Sequence, residues 1–430
     1  MSSTKIRATR VMTAFRWPEP VTVVIAITTL TAVLRFATLD VQSVWLDEAI
    51  AMRLVGRSFG GMVAHLSSNQ STPPLYYFLA WPWTRIFGSG VVGFRSFSAL
   101  VGTATVPLFY FAGRRFSSTA GLWTAALAAV GPLTFYYSQE IRPYALFLLF
   151  ASAGFVVWQR TLERPQGRPL ALWTAFSALA LLTHYFAVFP FVAEAAVLAR
   201  RIGWRRVVAP TVVFALVGVA LVPLAVSQSP ATDWIGQISL ASRVAQTAKE
   251  FLVGPYAPLG IVFAPLATLL ACGGLIRLWR LDHSRRQPLL DVCTVGFLSL
   301  ALPALLAVTG IDDVFDPRNS LAGWIPWAIV LAAGLATARA PRVGAMLGAG
   351  LCAISALVIA GTEFLPAYQR DDWRDAAHSL SAPPPGGRIV VSARLPAEPP
   401  PTRPTASSRL QHSQSRQACC DANQAIRWRT

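Results

Sequence analysis

The chain has 430 residues, of which 54% are hydrophobic and 13% are charged, and its mean hydropathy is +0.49. These values exclude a single soluble domain, because apolar runs of about 17–25 residues, each able to cross a hydrocarbon core as a helix, recur along most of the length. The net charge of +17 does not indicate nucleic-acid binding, because the basic residues cluster in short connectors between apolar runs. The five cysteines show no metal-ligand spacing and imply no disulfide framework.

The apolar runs predict an all-α, polytopic membrane protein. Residues 1–19 form a basic N-terminus with no small-residue cleavage site after the apolar stretch that follows, so we expect an uncleaved first span rather than a signal peptide. The predicted transmembrane domain covers residues 20–362. Its eleven helices lie at about 20–38, 91–113, 118–137, 143–159, 169–182, 184–199, 206–227, 258–276, 289–309, 320–338 and 343–361.

The charges of the connectors predict the side of the membrane that each one faces. With a cytoplasmic N-terminus, the inner connectors hold arginine clusters, as the positive-inside rule requires. The opposite side collects acids: Asp40, Asp47, Glu48, Glu140, Asp233, Glu250, Asp312, Asp313 and Asp316. The bias toward Arg indicates a bacterial source, so we expect a multi-pass protein of the cytoplasmic (inner) membrane.

An odd number of spans places the C-terminal tail, residues 363–430, on the outer side. The tail turns Pro-rich and from about residue 396 reads as low-complexity sequence, which predicts disorder. An alternative interpretation is a truncated outer domain.

The first outer loop, about 39–90, is the longest connector before the tail, and long ordered loops tend to be functional. Its second half, from Leu75 to Trp83, has the aromatic density of a membrane interface. It is either an anchoring belt without chemistry or also the floor of a site for a lipid-borne substrate. Both interpretations predict interfacial helices in this loop.

Asp47 and Glu48 are adjacent carboxylates directly after the first span. One interpretation is a solvated loop pair. The functional interpretation is a general base that takes the proton from an acceptor hydroxyl while a sugar–phosphate bond breaks. In a third interpretation, one of the two, Asp47 in our assignment, holds a divalent cation such as Mg²⁺ or Mn²⁺ against a lipid phosphate.

Four further charged or polar side chains lie at the predicted outer face. Glu140 and Arg142, between the third and fourth spans, form either a local ion pair or part of a substrate site. Arg142 suits phosphate because its guanidinium can bind two oxygens at once. His184 lies at a helix end, where a structural role competes with a catalytic one, and Arg318 either binds phosphate or extends to the membrane surface.

At these positions the chain resembles the bacterial relatives of the dolichyl-phosphate-mannose protein mannosyltransferases. These are integral-membrane glycosyltransferases of the GT-C fold, a group that also includes the lipid A aminoarabinose transferases. The resemblance covers roughly residues 20–200 and continues thinly through Pro317-Arg318 and Asp372-Trp-Arg374. The motifs that carry it are Trp45-Leu-Asp-Glu48, Pro73-Pro-Leu-Tyr-Tyr77, Gly93-Phe-Arg-Ser96, Ser138-Gln-Glu140, Arg142-Pro-Tyr144 and His184-Tyr185.

The resemblance implies a sugar donor on polyprenyl phosphate that is approached from the outer leaflet, and inversion at the anomeric carbon. It implies that Asp47 is the base or a metal contact, with Glu48 beside it, and that cationic side chains lie near the donor phosphate. The candidate substrate-binding residues are Glu140, Arg142, Tyr144, His184, Tyr185 and Arg318.

The sequence therefore predicts a GT-C-like membrane glycosyltransferase that moves a hexose such as mannose to a lipid, glycan or protein acceptor. The rival hypothesis is a transporter of lipid-linked sugars or oligosaccharides, in which the acids and arginines gate a headgroup. A transporter is expected to carry ionisable or broken-helix features near mid-membrane. The collection of charges at one face favours the enzyme.

Overall fold

The structure, a computed structural model, describes residues 19–69, 71–165, 167–229, 234–281, 286–370 and 372. Within these ranges every regular element is helical, which confirms the all-α class. The α-helices are α1 Pro20–Ala37, α2 Leu46–Val55, α3 Phe59–Asn69, α4 Leu75–Phe87, α5 Val91–Gly113, α6 Ser118–Val130, α7 Pro132–Ser138, α8 Tyr144–Glu163, α9 Arg168–Thr183, α10 Val188–Ile202, α11 Trp204–Gln228, α12 Leu240–Val253, α13 Gly260–Leu281, α14 Arg286–Thr309, α15 Trp324–Leu335 and α16 Pro341–Phe364. Single 3-10 turns lie at Tyr185–Ala187, Ile235–Gln237, Leu321–Gly323 and Pro366–Tyr368.

Seven helices in the described part of the chain are long and apolar enough to cross a membrane: α1, α5, α8, α11, α13, α14 and α16. The protein is therefore a multi-pass membrane protein. Each of the eleven predicted segments has a helical counterpart, but four of these counterparts (α6, α9, α10 and α15) have only 12 to 16 residues. The predicted count of eleven spans is thus not confirmed.

The third predicted span, 118–137, divides into two helices. Gly131 leaves the helical conformation (φ −61°, ψ 123°), and Pro132 begins α7. A proline lacks the amide hydrogen of a helix interior and disfavours helical backbone at the preceding residue, so the break follows from the sequence. At the end of α7, the side-chain amide of Gln139 donates to Arg35 O (2.9 Å) and Thr38 Oγ1 (2.7 Å), which fastens it to the end of α1.

The first outer loop contains α2, α3 and α4. In α4, Tyr76 and Tyr77 are buried, whereas Ile86 and Phe87 are 73% and 55% exposed, so the helix has one face against the protein and an apolar outer face. This amphipathic arrangement is compatible with the predicted interfacial position. The chain also contains a helix that the sequence interpretation did not include, α12, with a Ser239 side chain accepting from Ser242 N at its start.

Interior and lipid-facing helices differ in burial. In the most apolar stretch of α8, 72% of residues are buried, against 22% in α11 and 17% in α1. Close contact in the interior depends on glycine at one crossing: a Cβ atom at Gly334 of α15 would lie 2.1 Å from Gly274 O of α13. Small residues allow such close backbone approach between membrane helices.

The C-terminal tail predicted from residue 363 onward is described only as far as residue 372. α16 ends at Phe364 and a 3-10 turn follows at Pro366–Tyr368. The predicted disorder of the remaining tail, and the basic N-terminus before residue 19, lie outside the described residues.

Candidate active site

The two adjacent carboxylates lie in the first turn of α2. Their charge is favourable there because the amide groups at a helix N-terminus carry partial positive charge. Glu48 also accepts a hydrogen bond from Trp45 N at 3.4 Å, which caps the helix. Successive residues of an α-helix point about 100° apart, so Asp47 and Glu48 face different surroundings.

Glu48 is completely buried and is held by an arginine of α5. Arg95, itself 1% exposed, donates from Nε to Glu48 Oε1 at 2.9 Å and from Nη2 to Oε2 at 2.6 Å. The same guanidinium donates to the carbonyl oxygens of Leu39, Gln42 and Ser43 at 2.8–3.0 Å. A two-point contact of this kind is among the strongest charged hydrogen bonds in proteins. Arg95 therefore fixes both the loop before α2 and the first turn of α2.

A second arginine reaches Glu48 from the segment that follows α16. Arg370 donates from Nη1 to Glu48 Oε2 at 3.0 Å and from Nη2 to Glu140 Oε1 at 3.3 Å. Ile141 N donates to Glu48 Oε1 at 3.0 Å. Burial alone would raise the pKa of Glu48, but the hydrogen bond from Arg95 and the charges of Arg370 and Arg95 outweigh it and lower that pKa. Glu48 is consequently an ionised, inaccessible anchor.

Glu140 belongs to this inner layer and is 1% exposed. The sequence suggested a local ion pair with Arg142, whereas the structure pairs Glu140 with Arg370. Burial raises the pKa of Glu140 to about 7, although the positive charge of Arg370 opposes the shift. In this structure Glu140 has no surface on which a substrate could contact it.

Asp47 faces outward and forms a second layer. Its side chain is 19% exposed, and Oδ2 lies 3.9 Å from Arg142 Nη2 and 3.6 Å from Arg318 Nη1. The two guanidinium groups come from different parts of the chain, the α7–α8 connector and the α14–α15 connector. Two cations therefore converge on one accessible carboxylate, and Asp47 occupies a place where an anionic ligand would also bind.

Both arginines of the outer layer are oriented by neighbours. Arg318 Nε lies 3.3 Å from Asp316 Oδ1, and its guanidinium carbon lies 4.6 Å from the ring centroid of Trp234. Arg142 lies 5.8 Å from the ring centroid of Tyr144. Such cation–π and ion-pair contacts hold a guanidinium in place without using all of its donors. The sequence-predicted residues Asp47, Arg142, Tyr144 and Arg318 are thus brought together.

His184 lies beside this group but is enclosed. It is 3% exposed, its ring stacks on Phe147 at a centroid distance of 5.0 Å, and Nδ1 accepts from Phe186 N at 3.3 Å. Burial, with smaller contributions from the charges of Arg142 and Arg318, lowers the pKa of His184 to about 3. The imidazole is therefore neutral and starts the 3-10 turn, which matches the structural role that the sequence left open.

Tyr185 connects the outer loop to α11. Its hydroxyl donates to Gln228 Oε1 at 2.8 Å, and Gln228 Nε2 donates to Leu66 O at 2.9 Å and to Thr72 O at 3.3 Å. This chain of contacts fixes the turn between α3 and α4. In this structure Tyr185 supports the loop through its hydrogen bond to Gln228.

The groups around Asp47 do not form a cation site on their own. In the described part of the chain, no group of three or more His, Cys, Asp or Glu side chains is arranged to hold a metal ion. Asp47 lies within 4 Å of two guanidinium groups, which repel a divalent cation. The predicted metal role of Asp47 has no support from these neighbours, and no catalytic step below depends on it.

Two residues of the site, Arg95 and Arg370, were not identified as functional from the sequence. Arg95 lies in the first turns of an apolar span, and an arginine at such a depth signals a buried partner. Arg370 carried no comparable signal, because it stands 322 residues from Glu48 and next to other charged residues.

The fold and the site define a multi-pass membrane protein of the GT-C fold, as the sequence predicted. Residues 71–228 match the family described as dolichyl-phosphate-mannose-protein mannosyltransferase. The resemblance found in the sequence is therefore confirmed. No curated protein matches the chain.

The solved structures that are similar to this one include two of ArnT from Cupriavidus metallidurans. ArnT from Cupriavidus metallidurans in the apo state has a TM-score of 0.54 at 16% identity, covering 82% of this chain and 66% of that one. The same protein bound to undecaprenyl phosphate has a TM-score of 0.51 at 16% identity, covering 80% and 64%. The chain thus spans slightly less than two thirds of the length of these proteins, and at this identity the likeness shows the fold.

Proposed function

We propose that this protein is a glycosyltransferase that moves a sugar from a polyprenyl-phosphate carrier to an acceptor hydroxyl. The observation that carries the proposal is the position of Asp47, an accessible carboxylate between Arg142 and Arg318. The adjacent residue, Glu48, belongs to the buried layer that holds this helix in place. The reaction needs a group that accepts a proton and cations that stabilise a leaving phosphate, and this site contains both.

Asp47 is the proposed general base. Its carboxylate takes the proton from the acceptor hydroxyl as that oxygen bonds to the anomeric carbon of the sugar. The bond between that carbon and the carrier's phosphate oxygen breaks, and the electron pair leaves with the phosphate. Attack from the face opposite the leaving group inverts the anomeric configuration.

Arg142 and Arg318 are the proposed phosphate-binding groups. The phosphate of the sugar donor competes with Asp47 for the N–H groups of both arginines. Binding of the sugar donor therefore frees the carboxylate to accept a proton. The phosphate gains negative charge as its bond to the sugar breaks, and guanidinium groups already in place stabilise that charge. Tyr144, beside Arg142, is proposed to line the donor site.

The remaining candidates are proposed to position these groups. Glu48 is assigned an anchoring role, because it is completely buried and bound to Arg95 and Arg370. Glu140, His184 and Tyr185 hold the connectors around Asp47 through the contacts described above.

The donor class has support from two similarities. The matched family is described by dolichyl-phosphate-mannose, and the related ArnT structure holds undecaprenyl phosphate. We propose a hexose such as mannose as the sugar, and a lipid, glycan or protein as the acceptor. The site is proposed to lie at the outer face of the bacterial inner membrane, with the N-terminus in the cytoplasm, because the charge pattern of the connectors assigns it to that side. The transporter alternative is less favoured, because Asp47 begins a helix of the first outer loop beside two cations and does not lie in the broken span 118–137.

The test is Asp47→Asn in purified protein with polyprenyl-phosphate sugars and membrane extract as the acceptor source. The amide is nearly the same size but cannot take up the proton, so transfer of radiolabelled sugar should fall by at least about a hundredfold. Glu163→Gln, which changes an exposed carboxylate at the C-terminal end of α8, is the matched control and should retain activity. Near-normal transfer by Asp47→Asn would overturn the base assignment, and loss of wild-type activity with a chelator would restore the metal interpretation.

A further inference from the structure

The segment that follows the last span returns to the candidate site. Gln42 Nε2, in the loop before α2, donates to Glu363 Oε1 of α16 at 2.6 Å. Seven residues further along the chain, Arg370 contacts both Glu48 and Glu140. Two independent contacts therefore join the end of the membrane domain to the loop that carries Asp47.

Arg370 is the more informative of these contacts because it bridges two carboxylates. It is 7% exposed, and its guanidinium carbon lies 4.5 Å from the ring centroid of Tyr136. One side of the bridge is the helix of Asp47, and the other is the connector of Arg142. Glu48 is the residue after Asp47, and Glu140 stands two residues before Arg142. Arg370 therefore joins the base to one phosphate-binding arginine, alongside the hydrogen bond from Ile141 N of the same connector to Glu48 Oε1 at 3.0 Å.

We propose that Arg370 is a positioning residue for sugar transfer, which holds Glu48 and Glu140 together and thereby fixes Asp47 relative to Arg142. This inference rests on the proposed function. The guanidinium of Arg370 is engaged by Glu48 and Glu140, so Arg370 is assigned no contact with substrate. A small misplacement of reacting groups can reduce a rate on the order of a hundredfold, so loss of the bridge should act on turnover.

The bridge depends on the charge of Glu140, whose pKa is about 7. The positive charge of Arg370 lowers that pKa, so removing the charge should raise it further. The ionised form binds Arg370, and therefore activity should fall as pH drops through about 7 and Glu140 becomes protonated. The groups that face Glu140 are Arg370 after α16, Glu48 of α2, Arg142 of the same connector, Tyr136 and Tyr137 of α7, Tyr144 of α8 and Tyr256 after α12.

The experiment compares wild type, Arg370→Gln and Arg370→Lys for kcat and donor KM from about pH 5 to about pH 9. Arg370→Gln should lower kcat on the order of a hundredfold with donor KM within about threefold. Because the bridge is missing whether or not Glu140 is ionised, its profile should lack the acid limb, which is the fall in rate as pH drops through about 7. Arg370→Lys keeps the charge, so its acid limb should stay near that of wild type with an intermediate kcat.

Arg277→Gln is the matched control. Arg277 is also a buried arginine, 9% exposed, but it donates to Thr337 Oγ1 at 2.6 Å and Ala340 O at 3.0 Å in the connector between α15 and α16. It should alter stability without changing the pH profile of the folded protein. An Arg370→Gln variant with the kcat and acid limb of wild type, or an Arg370→Lys variant that lacks the acid limb as Arg370→Gln does, would overturn the proposal.

Glu140→Gln keeps the proposal testable if Arg370→Gln does not fold. The amide resembles the protonated carboxyl, so this variant should be slow at every pH, with no acid limb near pH 7. An unchanged profile in Glu140→Gln would overturn the proposal.

A donor-independent measurement separates this inference from the proposed function. In a cysteine-free chain, Asp47→Cys should react faster with a thiol reagent when combined with Arg370→Gln, and at an unchanged rate with Arg277→Gln. Faster labelling, together with no sugar transfer by the wild-type protein, would refute the proposed function and retain the positioning role. Equal labelling rates in the two backgrounds would refute the positioning role.

Discussion

Replacing Glu48 by Gln separates the roles of the two adjacent carboxylates. The carboxylate accepts from Arg95 at 2.9 and 2.6 Å, from Arg370 at 3.0 Å and from Ile141 N at 3.0 Å, and it is 0% exposed. An amide has one acceptor oxygen, and its amino group would face a guanidinium. Arg95 and Arg370, which are both buried, would therefore lose the carboxylate that they share.

The cost follows from the surroundings of these arginines. Removing one partner of a buried ion pair costs about 3–5 kcal/mol. Arg95 keeps three backbone carbonyls, and Arg370 keeps Glu140, so we expect the lower end, about 3 kcal/mol. Asp47→Asn disturbs a partly exposed carboxylate whose arginine contacts are 3.6 and 3.9 Å long, and its effect on stability should be about 1 kcal/mol or less.

The assay is thermal unfolding of both variants in one detergent, together with sugar transfer per folded molecule. Glu48→Gln should unfold at a clearly lower temperature than wild type, whereas Asp47→Asn should unfold near wild type and fail in transfer. If Glu48→Gln matched wild type in stability while losing only transfer, Glu48 would act in the chemistry and the anchoring argument would be refuted.

The remaining predictions concern donor binding and topology. Arg142→Lys should raise the apparent donor constant about tenfold, because a point charge loses paired hydrogen bonds to phosphate; titration of the polyprenyl-phosphate sugar measures it, and an unchanged constant would assign Arg142 a structural role. In intact cells, a cysteine at exposed Gln237 should react with an impermeant thiol reagent and one at exposed Arg164 should not, in a background without native cysteines. The reverse pattern would place Asp47 on the cytoplasmic side.

The sequence predicted the fold class and which residues lie together in the outer layer, because both depend on local signals. Apolar length identifies spans, and the sidedness of charge gathers Asp47, Arg142 and Arg318 at one face. We did not predict that span 118–137 breaks at Gly131, because the spans were identified from apolar length, although Gly131-Pro132 is a helix-breaking pair.

The contacts between residues of the site were less predictable than the identity of those residues. Glu140 and Arg142 are two residues apart, which suggested a pair, but Glu140 contacts Arg370 and Arg142 lies beside Asp47. Contacts between residues hundreds of positions apart depend on how the helices pack, and no local pattern encodes them. The different exposure of Asp47 and Glu48 likewise requires the orientation of α2 against α5.

The contact between Glu48 and Arg370 joins residues 322 positions apart, and Gln42 and Glu363 are 321 apart. A ribosome must therefore complete the last span before the inner layer can close around the first outer loop. Until then Glu48 has only Arg95 of α5 as an arginine partner among those described. Insertion of the earlier spans thus yields a scaffold, and the site is completed only after Arg370 has been synthesised. A chain that stops before Arg370 is expected to enter the membrane without a complete candidate site.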